Sequence, residues 1–253
     1  MLFNSLQFAV FFPAAALIYF ILPGKLRCAW LLAASYVFYM SANPKYAVLL
    51  LFSTGVTYAG GLLLRRVPQK RKKAVLALCF AASLAVLALF KYFDFLLGNL
   101  NAALGLLGAG PVSSPFSFAL PVGISFYTFQ ALGYLVDVYR GDTKAERNFL
   151  RYALFVSFFP VLLSGPIERS TNLLRQIREL PKKKLWDFER VTGGLTLMLF
   201  GLFQKMVIAD RIAILANQVF DNYRMHEMFG LAVGAIAYTI QIYCDFASYS
   251  MMA

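Results

Sequence analysis

The chain has 253 residues, of which 60% are hydrophobic and 14% are charged, and its mean hydropathy is +0.66. Soluble domains are nearer half apolar, so this composition excludes an ordinary soluble fold and predicts a polytopic membrane protein. The 24 basic residues outnumber the 12 acidic ones, but they cluster in short connections between apolar runs, as in cytoplasmic loops. We therefore expect the lipid bilayer, and no nucleic acid, among its partners.

Apolar runs long enough to cross a bilayer recur along the chain. A helix of roughly 17 to 25 residues spans a hydrocarbon layer of about 30 Å, and the two-residue alternation of a membrane β-barrel is absent from these runs. We predict an all-α, polytopic transmembrane helical bundle that forms one domain over residues 1–253. The predicted spans are Leu6–Leu22, Trp30–Met40 with its continuation Tyr46–Leu64, Ala74–Leu97, Phe118–Tyr139, Phe149–Gly165, Val191–Ala209 and Phe229–Ala253.

The distribution of charge predicts which connections face the cytoplasm. Residues 65–73 include six cations and no anion, so the positive-inside rule places this connection in the cytoplasm, with lipid-headgroup recognition as the less favoured role. Residues 98–115 are rich in Gly, Asn and Ser and contain no charge, which predicts an outer loop. Alternation of sides then places the N-terminus outside.

Polar and helix-breaking residues interrupt two of the apolar runs, at residues 123–130 and 158–166. Lipid cannot satisfy the backbone groups that Pro160, Gly165 and Pro166 free from a helix. Such segments are tolerated only where protein or a wet cavity supplies partners. The interruptions therefore predict the wall of an intramembrane pocket or tunnel.

A complete span at Phe149–Gly165 conflicts with the basic residues that follow, because it would place the cations of residues 169–184 outside. We therefore predict a re-entrant segment that enters the membrane and turns back. The next segment places apolar side chains opposite Arg175 and Arg178, which predicts an interfacial helix. The apolar residues of this face are Leu173, Leu174, Ile177 and Leu180.

Asp245 and Gln130 are polar residues within otherwise apolar runs. A charged side chain at the middle of a membrane helix costs about 2.5 to 3.5 kcal/mol, so the Asp245 carboxylate should face the protein interior with a partner. A functional role and a structural role, with Tyr, Ser or backbone donors as partners, are equally compatible with that position. For Gln130, a hydrogen bond between helices is favoured over a contact with substrate.

The remaining candidates for chemistry have simpler interpretations. Lys91 and Asp94 have the i, i+3 spacing of an interfacial ion pair, while Lys205 and Asp210 need only extend to the nearer interface. His226 is the one histidine, and its polar surroundings predict a solvated surface group. The three cysteines are scattered, and the sequence contains no metal-binding motif, phosphate-binding loop or nucleophile elbow.

Several motifs resemble those of the membrane-bound O-acyltransferase family, in its alginate O-acetylation branch. The resemblance begins with Leu120–Gln130 and Asp137–Gly141. It continues in the family's order with Phe158–Pro160, Gly165–Arg169, Gly201–Lys205, Val207–Asp210, Gln241–Phe246 and Tyr249–Ser250. The chain resembles the N-terminal portion of such a protein and is expected to form part of that family's fold.

The resemblance implies a helical funnel through the bacterial inner membrane. In that family an acetyl or similar short acyl group passes from a cytoplasmic thioester donor, acetyl-CoA or an acyl carrier protein, to hydroxyls of an exported polysaccharide or cell-envelope polymer. A periplasmic or extracellular acyltransferase is the partner expected on the acceptor side. The thioester is a co-substrate, so the resemblance implies no bound cofactor.

The family's catalytic base is a buried histidine in a stretch that follows the Asp-Phe and Tyr-Ser motif. Residues 1–253 contain no such stretch, and His226 precedes the motif, so we expect the catalytic histidine beyond Ala253 and expect this portion alone to be inactive. No catalytic or metal-binding residue is assigned. The residues predicted to line or brace the tunnel are Gln130, Pro160, Asp245 and Tyr249.

Two other functions are compatible with the sequence. A transporter or channel could use the broken segment at residues 158–166 as its substrate site, as discontinuous helices often do. Inverted internal repeats would favour that function, and none is evident in the sequence. A catalytically inactive membrane scaffold that recruits acyltransferase partners is the second alternative.

Overall fold

The computed structural model describes residues 3–106, 108, 110, 112, 121, 123–162, 165–183 and 187–253, and within these ranges the regular structure is helical, with no strand. The α-helices are α1 (Leu6–Ile21), α2 (Gly24–Met40), α3 (Tyr46–Arg66), α4 (Gln69–Leu106), α5 (Ile124–Arg140), α6 (Phe149–Ser157), α7 (Phe159–Leu162), α8 (Ser170–Glu179), α9 (Phe188–Phe203), α10 (Asp210–Asp221) and α11 (Met228–Met252). A π-helix, Gln204–Ala209, joins α9 to α10, and the short 3₁₀ turn Tyr223–Met225 follows α10. The predicted all-α class is confirmed.

Among the described residues, four helical segments are long and apolar enough to cross a membrane. They are α3 with 21 residues, α4 with 38, the continuous segment Phe188–Asp221 with 34 and α11 with 25, and the shorter apolar helix α1 accompanies them. At 1.5 Å per residue, even the shortest of the four matches a hydrocarbon core of about 30 Å. The predicted transmembrane helical bundle is confirmed, and the chain is a multi-pass membrane protein.

Helix α4 extends beyond its predicted span at both ends. The sequence predicts Ala74–Leu97 with an outer loop from residue 98, whereas the helix covers Gln69–Leu106. The predicted start of that loop is wrong because nucleation is the costly step of helix formation, and an established helix continues through polar residues at little cost. The Asn99 amide also donates to the Phe95 carbonyl, at 2.8 Å, within the helix.

The predicted span Val191–Ala209 also continues further than expected. Asp187 caps the start of α9 by accepting a hydrogen bond from the Arg190 backbone N–H at 3.3 Å. The π-helix then carries the chain into α10, so the predicted end is wrong. Residues 202–221 contain no proline or glycine, and the polar side chains of α10 end the apolar run without ending the helix.

Helices α5 and α8 correspond to two further predictions. Helix α5 forms the later part of the predicted span Phe118–Tyr139, while residues 118–120 and 122 lie outside the described residues. Helix α8 is amphipathic as predicted, although Leu180 follows its last residue, and its position at the membrane interface stays a prediction. The predicted apolar residues that α8 buries are Leu173, Leu174 and Ile177.

The described residues group into two compact units. Helices α1, α7, α9, α10 and α11 belong to the first unit, and α3, α4, α5 and α6 belong to the second. The predicted single domain over residues 1–253 stays a prediction. The first unit comprises Met1–Ala34, Phe158–Pro166 and Glu179–Ala253, and the second comprises Ser35–Ser157 and Ile167–Arg178.

A glycine permits the close packing of α3 against α5 in the second unit. A β-carbon at Gly61 would lie 2.8 Å from the ring and the hydroxyl of Tyr134, which is too close for packed atoms. Tyr134 is 1% exposed, and its ring centroid lies 4.6 Å from that of Tyr152. Small residues let helices approach closely in a membrane, where association depends on packing rather than on escape from water.

Replacing Gly61→Ala is expected to lower the free energy of unfolding by about 1 to 3 kcal/mol, because the added methyl group must displace the Tyr134 ring. Gly55→Ala is the matched control in the same helix, since no atom lies within 4 Å of its β-carbon position. Thermal unfolding in detergent measures both variants. Equal melting temperatures for the two variants would contradict the packing described.

Candidate functional site

The apolar run at Phe149–Gly165 forms two short helices instead of one span. Helix α6 ends at Ser157 and α7 begins at Phe159, with a break at Phe158, and Pro160 lies within α7. The 9 residues of α6 rise only about 14 Å, well short of a bilayer's hydrocarbon thickness. The predicted interruption is confirmed, while the re-entrant path through the bilayer stays a prediction.

Gln130 braces the C-terminal end of α6 in the second unit. Its side chain is buried, and its Nε2 atom donates to the Phe155 carbonyl at 2.8 Å. The last carbonyls of a helix lack partners within that helix, and in an unbroken helix this carbonyl would accept from residue 159. Gln130 supplies the donor that the break removes. The hydrogen bond between helices that the sequence favours over a contact with substrate is therefore observed.

The first unit contains a largely apolar cavity of 570 Å³. Phe159 and Pro160 of α7 contribute to its wall with side chains of α1, α9 and α11, and Arg190 is the only charged residue that the described part of the chain contributes to it. Small-molecule sites have volumes of about 300 to 1,000 Å³. The cavity can therefore shelter a short apolar group, and the role of Pro160 in lining a tunnel stays a prediction.

A lysine held by two carboxylates lies in the π-helix of the first unit. Lys205 Nζ donates to Asp245 Oδ1 on α11 and lies 2.9 Å from Asp210 Oδ1. Residues five apart lie about 140° from each other around a regular α-helix. The i→i+5 bonding of a π-helix puts them one turn apart instead, and the Asp210 backbone N–H donates to the Lys205 carbonyl. The π-helix therefore brings Asp210 to the Lys205 ammonium.

Asp245 and Tyr249 lie one turn apart on α11, and both contact the Lys205 side chain. The Tyr249 ring centroid is 5.6 Å from Lys205 Nζ, which is within the range of a cation–π interaction. The side chain of Lys205 is 13% exposed and that of Asp245 is 38% exposed. Because the ion pair and the ring join α11 to the segment that carries Lys205, this geometry favours a bracing role for Asp245.

The partner of Asp245 differs from the sequence expectation of Tyr, Ser or backbone donors. Ser248 Oγ donates to the Asp245 backbone carbonyl at 2.7 Å, and the carboxylate binds Lys205 instead. The interpretation that Lys205 only extends to the interface is wrong, because two carboxylates hold its ammonium. Lys205 is the only Lys or Arg within Val191–Ala209 and Phe229–Ala253, and this was the signal that could have identified the pair.

The structure also describes the surroundings of Lys91, Asp94 and His226. Lys91 and Asp94 form no ion pair among the described residues; the Lys91 ammonium lies 5.5 Å from the ring centroid of Tyr92 instead, so that prediction is wrong. His226 is half-buried and lies against Gly230 at the start of α11. Within the described ranges, no group of three or more His, Cys, Asp or Glu side chains could hold a metal ion.

Replacing Lys205→Met is expected to lower the free energy of unfolding by about 1 to 3 kcal/mol, because two carboxylates would lose their shared counterion. Lys91→Met is the matched control, since the described contact of that lysine is with an aromatic ring, and it should change stability by less than about 0.5 kcal/mol. Thermal unfolding in detergent compares the two. A loss of stability no larger for Lys205→Met than for the control would show that the cluster does not brace the unit.

Replacing Gln130→Leu is expected to leave the Phe155 carbonyl without a donor and to destabilise the end of α6 by about 1 to 3 kcal/mol. Amide hydrogen exchange should accelerate locally in α6. Gln176→Leu is the control, since that glutamine is exposed and donates to Asn172 on the same helix at 3.2 Å. Unchanged exchange in α6 of the Gln130 variant would contradict the bracing role.

Comparison with known proteins identifies relatives along the whole chain. No protein-family model matches it. It is 35% identical over its full length to the probable alginate O-acetylase AlgI of Pseudomonas syringae pv. tomato, covering 48% of that protein, and 36% identical to the protein of the same name from Azotobacter vinelandii, covering 50%. It is also 32% identical over its full length to the peptidoglycan O-acetyltransferase of Helicobacter pylori, covering 53%.

These similarities agree with the order of the motifs and with the helical architecture. The chain spans about half the length of the curated relatives it matches. The matches to these relatives cover the full length of the chain. The chain belongs to the membrane-bound O-acyltransferase family.

Proposed function

We propose that the chain is part of a bacterial inner-membrane enzyme that transfers an acetyl or similar short acyl group to hydroxyls of an exported polysaccharide or cell-envelope polymer. The observation that carries this proposal is the 32 to 36% identity, over the whole chain, to proteins named as O-acetylases and an O-acetyltransferase. Those relatives are named for alginate and for peptidoglycan. Their names therefore share the transfer of acetyl to a polymer hydroxyl, and they differ in which polymer accepts it.

The donor in this proposal is a thioester on the cytoplasmic side, either acetyl-CoA or an acylated carrier protein. An acceptor hydroxyl attacks the thioester carbonyl carbon and gives its proton to a base, and the carbon–sulfur bond then breaks with release of the thiol. General base catalysis typically contributes a factor of about 10² to 10⁴. No residue of this chain matches the family's catalytic histidine, so we expect residues 1–253 alone to be inactive.

The proposed contribution of this chain is the wall of the passage. Gln130 holds the end of α6 at the break, and Pro160 lines the apolar cavity. Asp245 and Tyr249 fix the Lys205 side chain between α11 and the π-helix. A rigid apolar wall would position a short acyl group and limit access of water, which otherwise competes with the polymer for the thioester.

The proposed orientation has the N-terminus outside and the basic connections in the cytoplasm, as the positive-inside rule predicts. The donor would then approach from the side of residues 65–73, and the polymer from the opposite side. A periplasmic or extracellular acyltransferase would be the partner on the acceptor side. In this arrangement the two substrates need not cross the membrane to meet.

A fusion protein tests the proposed function. Residues 1–253 are joined to the part of the Azotobacter vinelandii relative that the match does not cover, and the fusion is expressed in cells that make alginate but lack their own O-acetylase. Ester-linked acetyl groups on the alginate are then measured. We expect the fusion to restore acetylation, and residues 1–253 expressed alone to restore none.

Several outcomes would contradict the proposal. Acetylation by residues 1–253 alone would refute the expected inactivity. A fusion that reaches the membrane at normal abundance and leaves alginate unmodified would refute the acyltransferase function. Uptake or efflux of a small solute by that fusion would support the transporter alternative, and recovery of acetylation only with an intact acyltransferase bound to it would support the scaffold.

A further inference from the structure

The second unit contains a concave pocket of 830 Å³ whose wall is dominated by cations. These cations lie at the end of α3, at the start of α4, in the segment that leads into α6 and its first turn, and at the end of α8. The cationic residues of this pocket are Arg65, Lys72, Lys144, Arg147, Arg151 and Arg178. The tertiary fold therefore concentrates basic residues that are far apart in the sequence at one place.

Glu146 is the one carboxylate that the described residues contribute to this wall, and its oxygens are already bound. Its Oε1 atom accepts from the backbone N–H groups of Arg147 and Asn148 at 3.0 and 3.1 Å, and its Oε2 atom accepts from Arg178 Nε at 2.6 Å. Burial raises the pKa of Glu146, but the hydrogen bonds from Arg178 and the backbone leave it below its ordinary value. Glu146 therefore stays ionised and neutralises Arg178 alone.

The other five cations form no ion pair among the residues that the structure describes. A second concavity, of 610 Å³, adjoins the first and shares Arg65 and Arg147 with it. A membrane topology signal requires only that cations lie in the right connection. It does not require them to converge on one concave space, where they repel one another unless a counterion is present.

We propose that this pocket binds a phosphate-bearing anion on the side of the membrane predicted to be cytoplasmic. Arginine offers planar pairs of donors that match phosphate oxygens, and lysine adds a compact charge. The phosphate belongs either to a soluble thioester donor or to the headgroup of an anionic lipid. The binding site does not depend on the catalytic activity proposed above.

The test uses the whole chain in nanodiscs and two probes. Acetyl-CoA is titrated against nanodiscs of neutral phosphatidylcholine, with acetyl-pantetheine, which lacks phosphate, as its control ligand. In the second arm, native mass spectrometry measures the phosphatidylglycerol retained by protein extracted from mixed bilayers. Binding of acetyl-CoA identifies a soluble donor, and retention of phosphatidylglycerol identifies a lipid headgroup. Both measurements are repeated at higher salt, which weakens contacts with phosphate.

The double variant Arg147→Gln/Arg151→Gln is expected to weaken binding of whichever probe the unchanged protein binds, by about tenfold or more. Lys70→Gln/Arg71→Gln is the matched control, since it removes the same charge from a neighbouring exposed segment outside the pocket, and it should alter binding less than about twofold. Arg65→Gln/Lys72→Gln gives an independent variant if the first unfolds.

Three results would overturn the proposal. One is equal weakening of binding by the pocket variants and the matched control, which would indicate attraction by net charge alone. Another is equally tight binding of acetyl-pantetheine and acetyl-CoA with no retention of phosphatidylglycerol. The third is that neither acetyl-CoA nor phosphatidylglycerol shows binding that weakens at higher salt. Acetylation by the fusion protein is a separate readout, so failure of this site and failure of the proposed function are distinguishable.

Discussion

A polar group without a partner costs several kcal/mol in a hydrocarbon layer, and this constraint governs the irregular parts of the chain. Where the run at residues 149–165 breaks, the Gln130 amide supplies the donor that the Phe155 carbonyl would otherwise lack. Where Asp245 places a carboxylate within an apolar helix, the Lys205 ammonium neutralises it. Both of these departures from a simple apolar rod are thus matched by a polar contact from another element.

The π-helix shows how backbone irregularity and charge pairing depend on each other. It brings Asp210 within 2.9 Å of the Lys205 ammonium, while Asp245 and Tyr249 approach the same ammonium from α11. Gly201 lies one turn earlier, where a β-carbon would be 2.8 Å from the Ser248 carbonyl oxygen. Close approach of the backbones and the ion cluster therefore coincide in the first unit.

Sequence alone predicted the features that depend on local pattern. The lengths of the apolar runs predict the long helices, and Pro160 with its neighbours predicts the break between α6 and α7. Features that depend on tertiary contact were missed, since Lys205 and Asp245 are 40 residues apart and the π-helix has no distinctive composition. The cationic pocket was missed for the same reason: its arginines lie at the ends of separate helices and in the segment before α6, and only folding brings them together. Helix ends also differ from the predicted ones, because polar residues such as Asn99 do not by themselves end a helix that is already formed.

The most direct test of this account is a double-mutant cycle between Lys205→Met and Asp245→Asn, with the free energy of unfolding measured in detergent for both single variants and their combination. If the ion pair braces the first unit, the double variant should lose less stability than the sum of the single losses, by about 1 kcal/mol or more. Strictly additive losses would contradict the central claim that the ion pair between Lys205 and Asp245 braces the first unit.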